Sequence, residues 1–181
     1  YKDEKIVASQ TSLDSRTPED TLTVTGDKEI TIQVFVEPKV PFEITNLYYF
    51  DNNTKLQGSN FEVISQNDDI GLGTTDANGM TAIYSDIFGK NDGEEAIYKV
   101  RQTKGAIGYA TVEDFYVKLT YNANREITKA VLTDEYGTEV TNNRFVTVGF
   151  IKTSTYSQHN SNEKGIVTLQ VLNYPEFKID I

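Results

Sequence analysis

Catalytic chemistry has few candidate residues in this chain. Its 181 residues include a single His, His159, and no Cys, so thiolate nucleophiles and cysteine-based metal sites are excluded. His159 stands in the polar run SQHNSN, residues 157–162, a composition typical of a solvated turn. A general base needs an orienting partner and a cleft that holds the substrate, and no serine follows the nucleophile-elbow pattern. We therefore expect no enzymatic activity.

Oxygen-rich loops are the second kind of chemical candidate. Residues 68–69, 76–78 and 91–94 carry Asp, Asn and Glu side chains in turn-like segments, and Ca²⁺ prefers such hard oxygen ligands. None of them follows the twelve-residue ligand spacing of an EF-hand loop. We expect these side chains to form turns, with no cofactor, and keep Ca²⁺ binding as the alternative.

The segments that would position such side chains have the pattern of β-strands. Apolar and polar residues alternate in 30–36, 115–121 and 169–171, with Val, Ile, Thr and Tyr prominent. A period of two is that of a strand with one buried face. No segment of helical length shows an apolar stripe with a period of 3.6. We predict an all-β protein, an antiparallel β-sandwich of about ten short strands.

An internal repeat indicates the domain organisation. The segments KEITIQVFVEP and KGIVTLQVLNYP resemble each other when Gln33 is aligned with Gln170, and in both a proline follows a strand-like run. We therefore expect residues 1–40 to be the C-terminal part of a preceding β repeat. Residues 41–175 would be one complete β-sandwich repeat, and residues 176–181 would begin the next repeat or a linker.

Charge and hydropathy restrict the partners. The chain has 27 acidic and 17 basic residues and a formal net charge of −10. This charge opposes binding to nucleic acids and to anionic lipid. No stretch approaches the roughly 20 apolar residues that a membrane span needs. We expect neither nucleic-acid binding nor membrane insertion.

A series of short motifs runs through residues 42–173 in a fixed order. An opening strand is followed by segments similar to L-x-G-A-x-F, T-T-D-x-x-G, Y-x-V-x-E-T…G-Y and V-x-V-x-N. In that order the motifs occupy residues 42–46, 56–61, 74–79, 98–109 and 169–173. The series resembles the Cna-B / SpaA-type, prealbumin-like (Ig-like) repeat domains of Gram-positive surface proteins and pilins, with extra length between Tyr109 and Ile166. The resemblance implies a β-sandwich, an extracellular, cell-surface or cell-wall-attached location, and tandem arrangement in stalks or pili.

The same resemblance points to three positions of covalent chemistry. Many members of the family form an autocatalytic Lys–Asn isopeptide bond, promoted by a buried acid. Here the Lys position falls on Asn46, or on Leu47 if the alignment is one residue out of phase. The acid position falls on Gln102, and Asn173 keeps its type. Because the reaction needs an amine nucleophile and a proton-shuttling carboxyl group, we predict degenerate isopeptide positions at Asn46, Gln102 and Asn173 and no crosslink.

Strand alternation predicts how these amides are placed. Asn46, Gln102 and Asn173 each lie two residues after an apolar residue of the same strand, and so share its face. If these faces point inwards, the three side chains form a buried amide cluster whose members satisfy one another's hydrogen bonds. A register shift of one residue would instead turn them towards water.

Two functions are open at this point. The first is structural, a stalk, spacer or fibre module of a bacterial cell-surface or pilus-like protein that contacts neighbouring repeats or subunits. The second is an adhesin domain that binds a host protein or glycan through its loops, with the polar insert 135–165 as the expected site. An adhesin is expected to show a cluster of exposed aromatic side chains.

Overall fold

The computed structural model describes residues 39–87, 91–123, 126–151 and 165–177. Within these ranges the chain forms nine β-strands and no helix, which confirms the predicted all-β fold. The described ranges accordingly contain no helix long and apolar enough to cross a membrane. In chain order the strands are β1 (Lys39–Tyr48), β2 (Asn60–Ile64), β3 (Ile70–Thr74), β4 (Met80–Asp86), β5 (Glu95–Lys104), β6 (Phe115–Tyr121), β7 (Ile127–Thr133), β8 (Val146–Ile151) and β9 (Ile166–Asn173).

The strands form two sheets that pack as a sandwich. One sheet has the order β4-β1-β9-β8 and the other the order β3-β2-β5-β6-β7. The pairings are antiparallel, with the exception of β1 and β9, which are parallel. The predicted antiparallel sandwich is therefore confirmed with one parallel pair inside it. Parallel neighbours cannot be joined by a hairpin, and here strands β2 to β8 lie between them in the chain.

The hydrophobic core lies between the sheets and follows the alternation of the strands. In β6, for example, Phe115, Val117, Leu119 and Tyr121 are buried, and the residues between them are half-buried. Burial of each large apolar side chain contributes about 1.5–3 kcal/mol. The period of two thus fixes which side chains of each strand face the opposite sheet.

Two glycines allow edge strand β3 to approach β4 of the opposite sheet. A Cβ atom on Gly71 would lie 2.8 Å from the backbone oxygen of Tyr84, and one on Gly73 would lie 2.7 Å from the side chain of Ile83. Both distances are too short for real contacts, so these positions need residues without a side chain. The close approach brings the edges of the two sheets together on this side of the sandwich.

The span predicted as one complete repeat, residues 41–175, lies within the described part of the chain apart from the gaps given above. Near its end, Pro175 forms a bridge with Tyr109. Residues 1–38 and 178–181 lie outside the described residues, and so does His159. The preceding and following repeats therefore stay predictions.

Candidate functional site

Strands β1, β5 and β9 bring the three predicted amides together. Asn46, Gln102 and Asn173 all face inwards, with exposed fractions of 0%, 4% and 1%. Strands β1 and β9 belong to one sheet and β5 to the other, so the amide cluster spans the core. Leu47, the alternative for the first position, is buried as well, but it is Asn46 that hydrogen-bonds with Asn173.

Asn173 is the centre of the amide cluster. Its Oδ1 accepts hydrogen bonds from Asn46 Nδ2 and from Gln102 Nε2, the latter at 3.2 Å. Its Nδ2 donates to Gln102 Oε1 at 2.8 Å and to the backbone oxygen of Ala110 at 2.6 Å. Each of the two polar atoms of this buried side chain therefore forms two hydrogen bonds.

The remaining polar atoms of the cluster have partners around it. Asn46 Nδ2 also donates to the backbone oxygen of Val171 at 3.0 Å, and Asn46 Oδ1 accepts from Ser59 Oγ at 2.6 Å. Gln102 Oε1 also accepts from the backbone N–H of Val112 at 3.0 Å. Leaving one such buried group unpaired costs about 1–3 kcal/mol. The closed network therefore favours a single arrangement of the three strands.

Ser59 is a member of this network that the sequence analysis did not identify. It is fully buried, and in the motif L-x-G-A-x-F, which residues 56–61 resemble, it takes the place of Ala. Its backbone N–H donates to Thr75 Oγ1 at 3.0 Å, and that hydroxyl donates to the backbone oxygen of Leu56 at 2.7 Å. The presence of Ser in place of the motif's Ala could have indicated this role, because a buried hydroxyl needs a polar partner.

The chemistry of the cluster is that of neutral amides and one hydroxyl. No Lys, Asp or Glu side chain among the described residues hydrogen-bonds to Asn46, Gln102 or Asn173. A side-chain amide is neither an amine nucleophile nor a proton-shuttling acid. The arrangement can hold strands together, and its descent from an isopeptide site stays a prediction drawn from the resemblance.

A second buried polar pair lies at the opposite end of β5. The hydroxyl oxygens of Tyr98 and Tyr121 are 2.6 Å apart, and Tyr98 donates to the backbone oxygen of Asp86 at 2.7 Å. Both side chains are fully buried. Burial raises the pKa of Tyr121 well above its usual range. This tyrosine pair links β5 to β6 and to the end of β4.

Aromatic side chains cover the end of the sandwich nearest the amide cluster. The rings of Tyr49 and Tyr174 have centroids 4.2 Å apart, and those of Tyr48 and Tyr109 are 5.7 Å apart. A hydrogen bond with Tyr49 raises the pKa of Tyr174. Phe50 is 65% exposed. We call this group the aromatic cap; it consists of Tyr48, Tyr49, Phe50, Tyr109, Phe145 and Tyr174.

Of the insert predicted as an adhesin site, residues 135–165, the structure describes residues 135–151 and Gly165. The connection between β7 and β8, residues 134–145, borders three hollows of about 400, 280 and 250 Å³, and Asn143 lines all three. Pockets beside an ordered connection on a rigid sandwich are common places for ligand binding. The sequence located this region by its length and polarity, but not its opposite wall, residues 110–115.

Two of the three oxygen-rich turns use their side chains locally, whereas in the turn at residues 68–69 Asp69 pairs with Lys39 at 3.5 Å. Asp76 Oδ1 accepts from the backbone N–H groups of Met80 at 2.9 Å and Asn78 at 2.8 Å, and these bonds, above all that from Met80, lower the pKa of Asp76. Asn91 and Glu94 hydrogen-bond with each other. In the described ranges no three His, Cys, Asp or Glu residues are grouped so as to hold a metal ion.

Comparison with known proteins gives matches among solved structures. No family model matches the chain, and a search of curated proteins finds no match. The chain is similar to a C-terminal fragment of the pilus adhesin SpaC from Lactobacillus rhamnosus GG, with a TM-score of 0.54, 14% identity, and coverage of 80% of this chain and 48% of the fragment. An iodide-soaked crystal of that fragment gives a TM-score of 0.51, 15% identity and the same coverage.

The adhesin SpaC in its open conformation gives a TM-score of 0.52 at 14% identity, with coverage of 80% of this chain and 16% of that protein. The chain thus spans less than half the length of the structures it matches. At these identities the likeness establishes a shared fold and nothing finer, so membership of the Cna-B / SpaA-type family stays a prediction. The described sandwich has the fold of part of a Gram-positive pilus adhesin.

Proposed function

We propose that this chain is a non-enzymatic, load-bearing module of a bacterial cell-surface or pilus-like protein and acts outside the cell. The fold shared with parts of a pilus adhesin supports the proposal. So does a core whose polar cluster holds strands together and lacks ionisable groups. Neighbouring repeats or subunits would be its structural partners, with neither nucleic acid nor membrane involved, in keeping with the net charge of −10.

The observation that carries the proposal is the parallel pair β1 and β9. Its register runs from Phe42 opposite Val167 to Tyr48 opposite Asn173. Because the two strands run in the same direction, the start of β1 and the end of β9 lie at opposite ends of the pair. Tension between these two points loads the hydrogen bonds of the ladder together, along the strands, rather than one after another.

The amide cluster adds side-chain bonds to the same pair. Asn46 of β1 bonds to Asn173 and to the backbone of Val171, both in β9. Gln102 then joins Asn173 to the opposite sheet. The cluster therefore lies at the end of the ladder where β9 ends, and sliding of β1 along β9 would break it at the same moment as the ladder.

Pulling in two directions tests this role. The chain has no Cys, so handles can be attached through Lys39→Cys with Glu176→Cys, and in a matched variant through Lys39→Cys with Asp86→Cys. Lys39 lies directly opposite Asp86 in the antiparallel pair of β1 and β4, so tension there opens the pair from one end. Single-molecule force spectroscopy should give the higher unfolding force for the first variant.

Intact-mass measurement is the control for this experiment. We expect the mass of the full sequence with no ammonia lost, so that the unfolding force belongs to non-covalent contacts. A loss of one ammonia would reveal an isopeptide bond and contradict the assignment of degenerate positions. Equal unfolding forces in the two directions would contradict the load-bearing role.

A second candidate function, ligand binding as an adhesin domain, is favoured by the aromatic cap and the adjoining hollows. Phe145 and Tyr174 belong to the aromatic cap and also line the largest of these hollows. Concave sites with aromatic walls and a few polar groups are typical ligand sites, and aromatic side chains dominate many interfaces. The cap and the larger hollow adjoin the end of the β1–β9 ladder, where Tyr48 lies opposite Asn173.

A further inference from the structure

Two of the hollows adjoin and form one groove between the β5–β6 connection and the β7–β8 connection. They have volumes of about 400 and 280 Å³, and Asp114, Phe115 and Asn143 line both. Each is near or within the range of about 300–1,000 Å³ that is usual for ligand sites. We call their union the acidic groove.

The lining of the acidic groove carries one sign of charge. Glu113, Asp114, Asp134 and Glu135 line it, and no Lys, Arg or His is among its lining residues in the part of the chain that the structure describes. Arg144 follows Asn143 in the chain but does not line the groove. The groove is thus more uniformly acidic than the whole chain, in which 27 acidic residues face 17 basic ones.

Two of these carboxylates already have partners. Asp114 is bound by Lys99 at 2.7 Å and by Arg101 at 3.1 Å. Asp134 accepts from backbone N–H groups of its own turn, including that of Thr138 at 2.8 Å. Glu113 and Glu135, by contrast, form no ion pair with any described residue. A hydrogen bond with Glu135 raises the pKa of Tyr136, but it leaves the charge of the carboxylate uncompensated. These two carboxylates are available to an incoming cation.

Apolar and aromatic surface lies beside the two available carboxylates. Phe115, Phe145 and Tyr174 line the larger hollow, and Tyr136, which is 83% exposed, lines the smaller one with Val140. Arg and Lys side chains combine an apolar stem with a charged head, and their cations are attracted to the faces of aromatic rings. The groove therefore fits a basic side chain better than an acidic or small polar one.

We propose that the acidic groove binds an extended basic peptide segment of a partner protein, with an Arg or Lys side chain set against Glu113 or Glu135. The proposal rests on the second candidate function and is independent of the load-bearing role. Charge complementarity selects this partner, because the net charge of −10 attracts basic segments over a distance and repels acidic ones. The volume of the two hollows leaves room for a few residues of such a segment.

The binding test uses the full chain and a defined probe, the peptide acetyl-Gly-Arg-Leu-Arg-Gly-amide. Titration into ¹⁵N-labelled protein should shift the amide resonances of Val112, Asn143 and Tyr174, with an affinity that falls as salt is added. In the variant Glu113→Gln/Glu135→Gln the affinity should drop about fivefold, the effect of two exposed ion pairs.

The matched control removes two charges elsewhere. Asp68→Asn/Asp92→Asn changes the net charge equally in exposed turns and should leave the affinity within about twofold of the unchanged protein. The proposal would be overturned by an equal loss of peptide affinity in both variants. It would also be overturned by equal binding of a peptide with citrulline in place of Arg, or by resonance shifts spread over all acidic faces. Resonance shifts at the groove with a neutral oligosaccharide, and none with the peptide, would overturn the proposal in favour of a glycan ligand. Shifts at the groove that depend on protein concentration alone would overturn it in favour of a second copy of this chain.

Discussion

The core of the sandwich holds two polar clusters, one near each end of β5. At one end the hydroxyls of Tyr98 and Tyr121 meet at 2.6 Å. At the other, Gln102 joins a network with Asn46 and Asn173 in the opposite sheet. A hydroxyl donates one proton and can lose it at high pH, whereas an amide has two donors and an acceptor and stays neutral. The tyrosine pair is thus a single titratable link, and the amide cluster is a closed network that does not respond to pH.

The comparison indicates where the sandwich is most sensitive to mutation. Removal of the Tyr121 hydroxyl leaves Tyr98 bonded to the backbone of Asp86. Removal of one amide from the cluster leaves partners on two sheets unpaired, and each buried unpaired group costs about 1–3 kcal/mol. The end of the core that carries the amides should therefore contribute more to stability per side chain.

The largest effect is expected for Asn173→Leu. This substitution leaves Gln102 Nε2 and the backbone oxygen of Ala110 without the bonds that Asn173 supplies, so the free energy of unfolding should fall by about 3 kcal/mol. Urea unfolding measures it. Gln170→Leu, on the outer face of the same strand, is the control and should change stability by less than about 0.5 kcal/mol. A similar loss in both variants would mean that the cluster stabilises nothing beyond ordinary strand packing.

A smaller effect is expected for Ser59→Ala, with Ser85→Ala as its matched partner. Both hydroxyls are fully buried, but Ser59 Oγ donates to Asn46 at 2.6 Å, and Ser85 Oγ has no partner among the described residues. Ser59→Ala should lower the free energy of unfolding by about 1–2 kcal/mol, because Asn46 Oδ1 loses its donor. Ser85→Ala should leave the free energy unchanged or raise it slightly. The reverse order would show that Ser59 does not belong to the network.

The smallest effect at neutral pH is expected for Tyr121→Phe, about 1 kcal/mol. Its signature is the pH dependence. Because burial raises the folded-state pKa of Tyr121 above the ordinary value of 10.0, its stabilising contribution is present below about pH 10 and is lost as the pH rises further, when the unfolded chain ionises. Thermal unfolding between neutral pH and pH 11 should therefore show a shallower alkaline decline in Tyr121→Phe.

Tyr84→Phe, which removes an exposed hydroxyl on β4, controls for the alkaline experiment and should keep the profile of the unchanged protein. An identical alkaline decline in Tyr121→Phe and the unchanged protein would mean that the tyrosine pair does not titrate with unfolding. The amide variants should differ from the unchanged protein by a constant amount across the same range, since amides do not ionise there.

The sequence predicted the strands and the inward faces of the amides because side chains in a strand alternate with a period of two. Alternation does not specify which strand is the neighbour or in which direction it runs, so the parallel pairing of β1 with β9 could not be read from it. The partners Ala110 and Val112 were missed for a related reason: they contribute backbone atoms, and any residue type carries those.

The aromatic cap was missed because its members come from the end of β1 and from the segments that follow β1, β5, β7 and β9, and they show no period. Tyr48, Tyr109, Phe145 and Tyr174 are far apart in the chain and meet only when the strand ends are stacked. Ser59 is intermediate between the residues that the sequence predicted and those that it missed. Its departure from a motif was visible in the sequence, but its partner, Asn46 on another strand, became apparent only in three dimensions.

The non-covalent bond between Asn46 and Asn173 determines how far the chain can lengthen under tension. These residues are 127 positions apart. A covalent bond between them would remove the segment from the extensible length, whereas hydrogen bonds that break release all of it, roughly 400 Å at full extension. A fibre with such modules would dissipate a sudden pull by unfolding one of them and recover its length when the amides pair again.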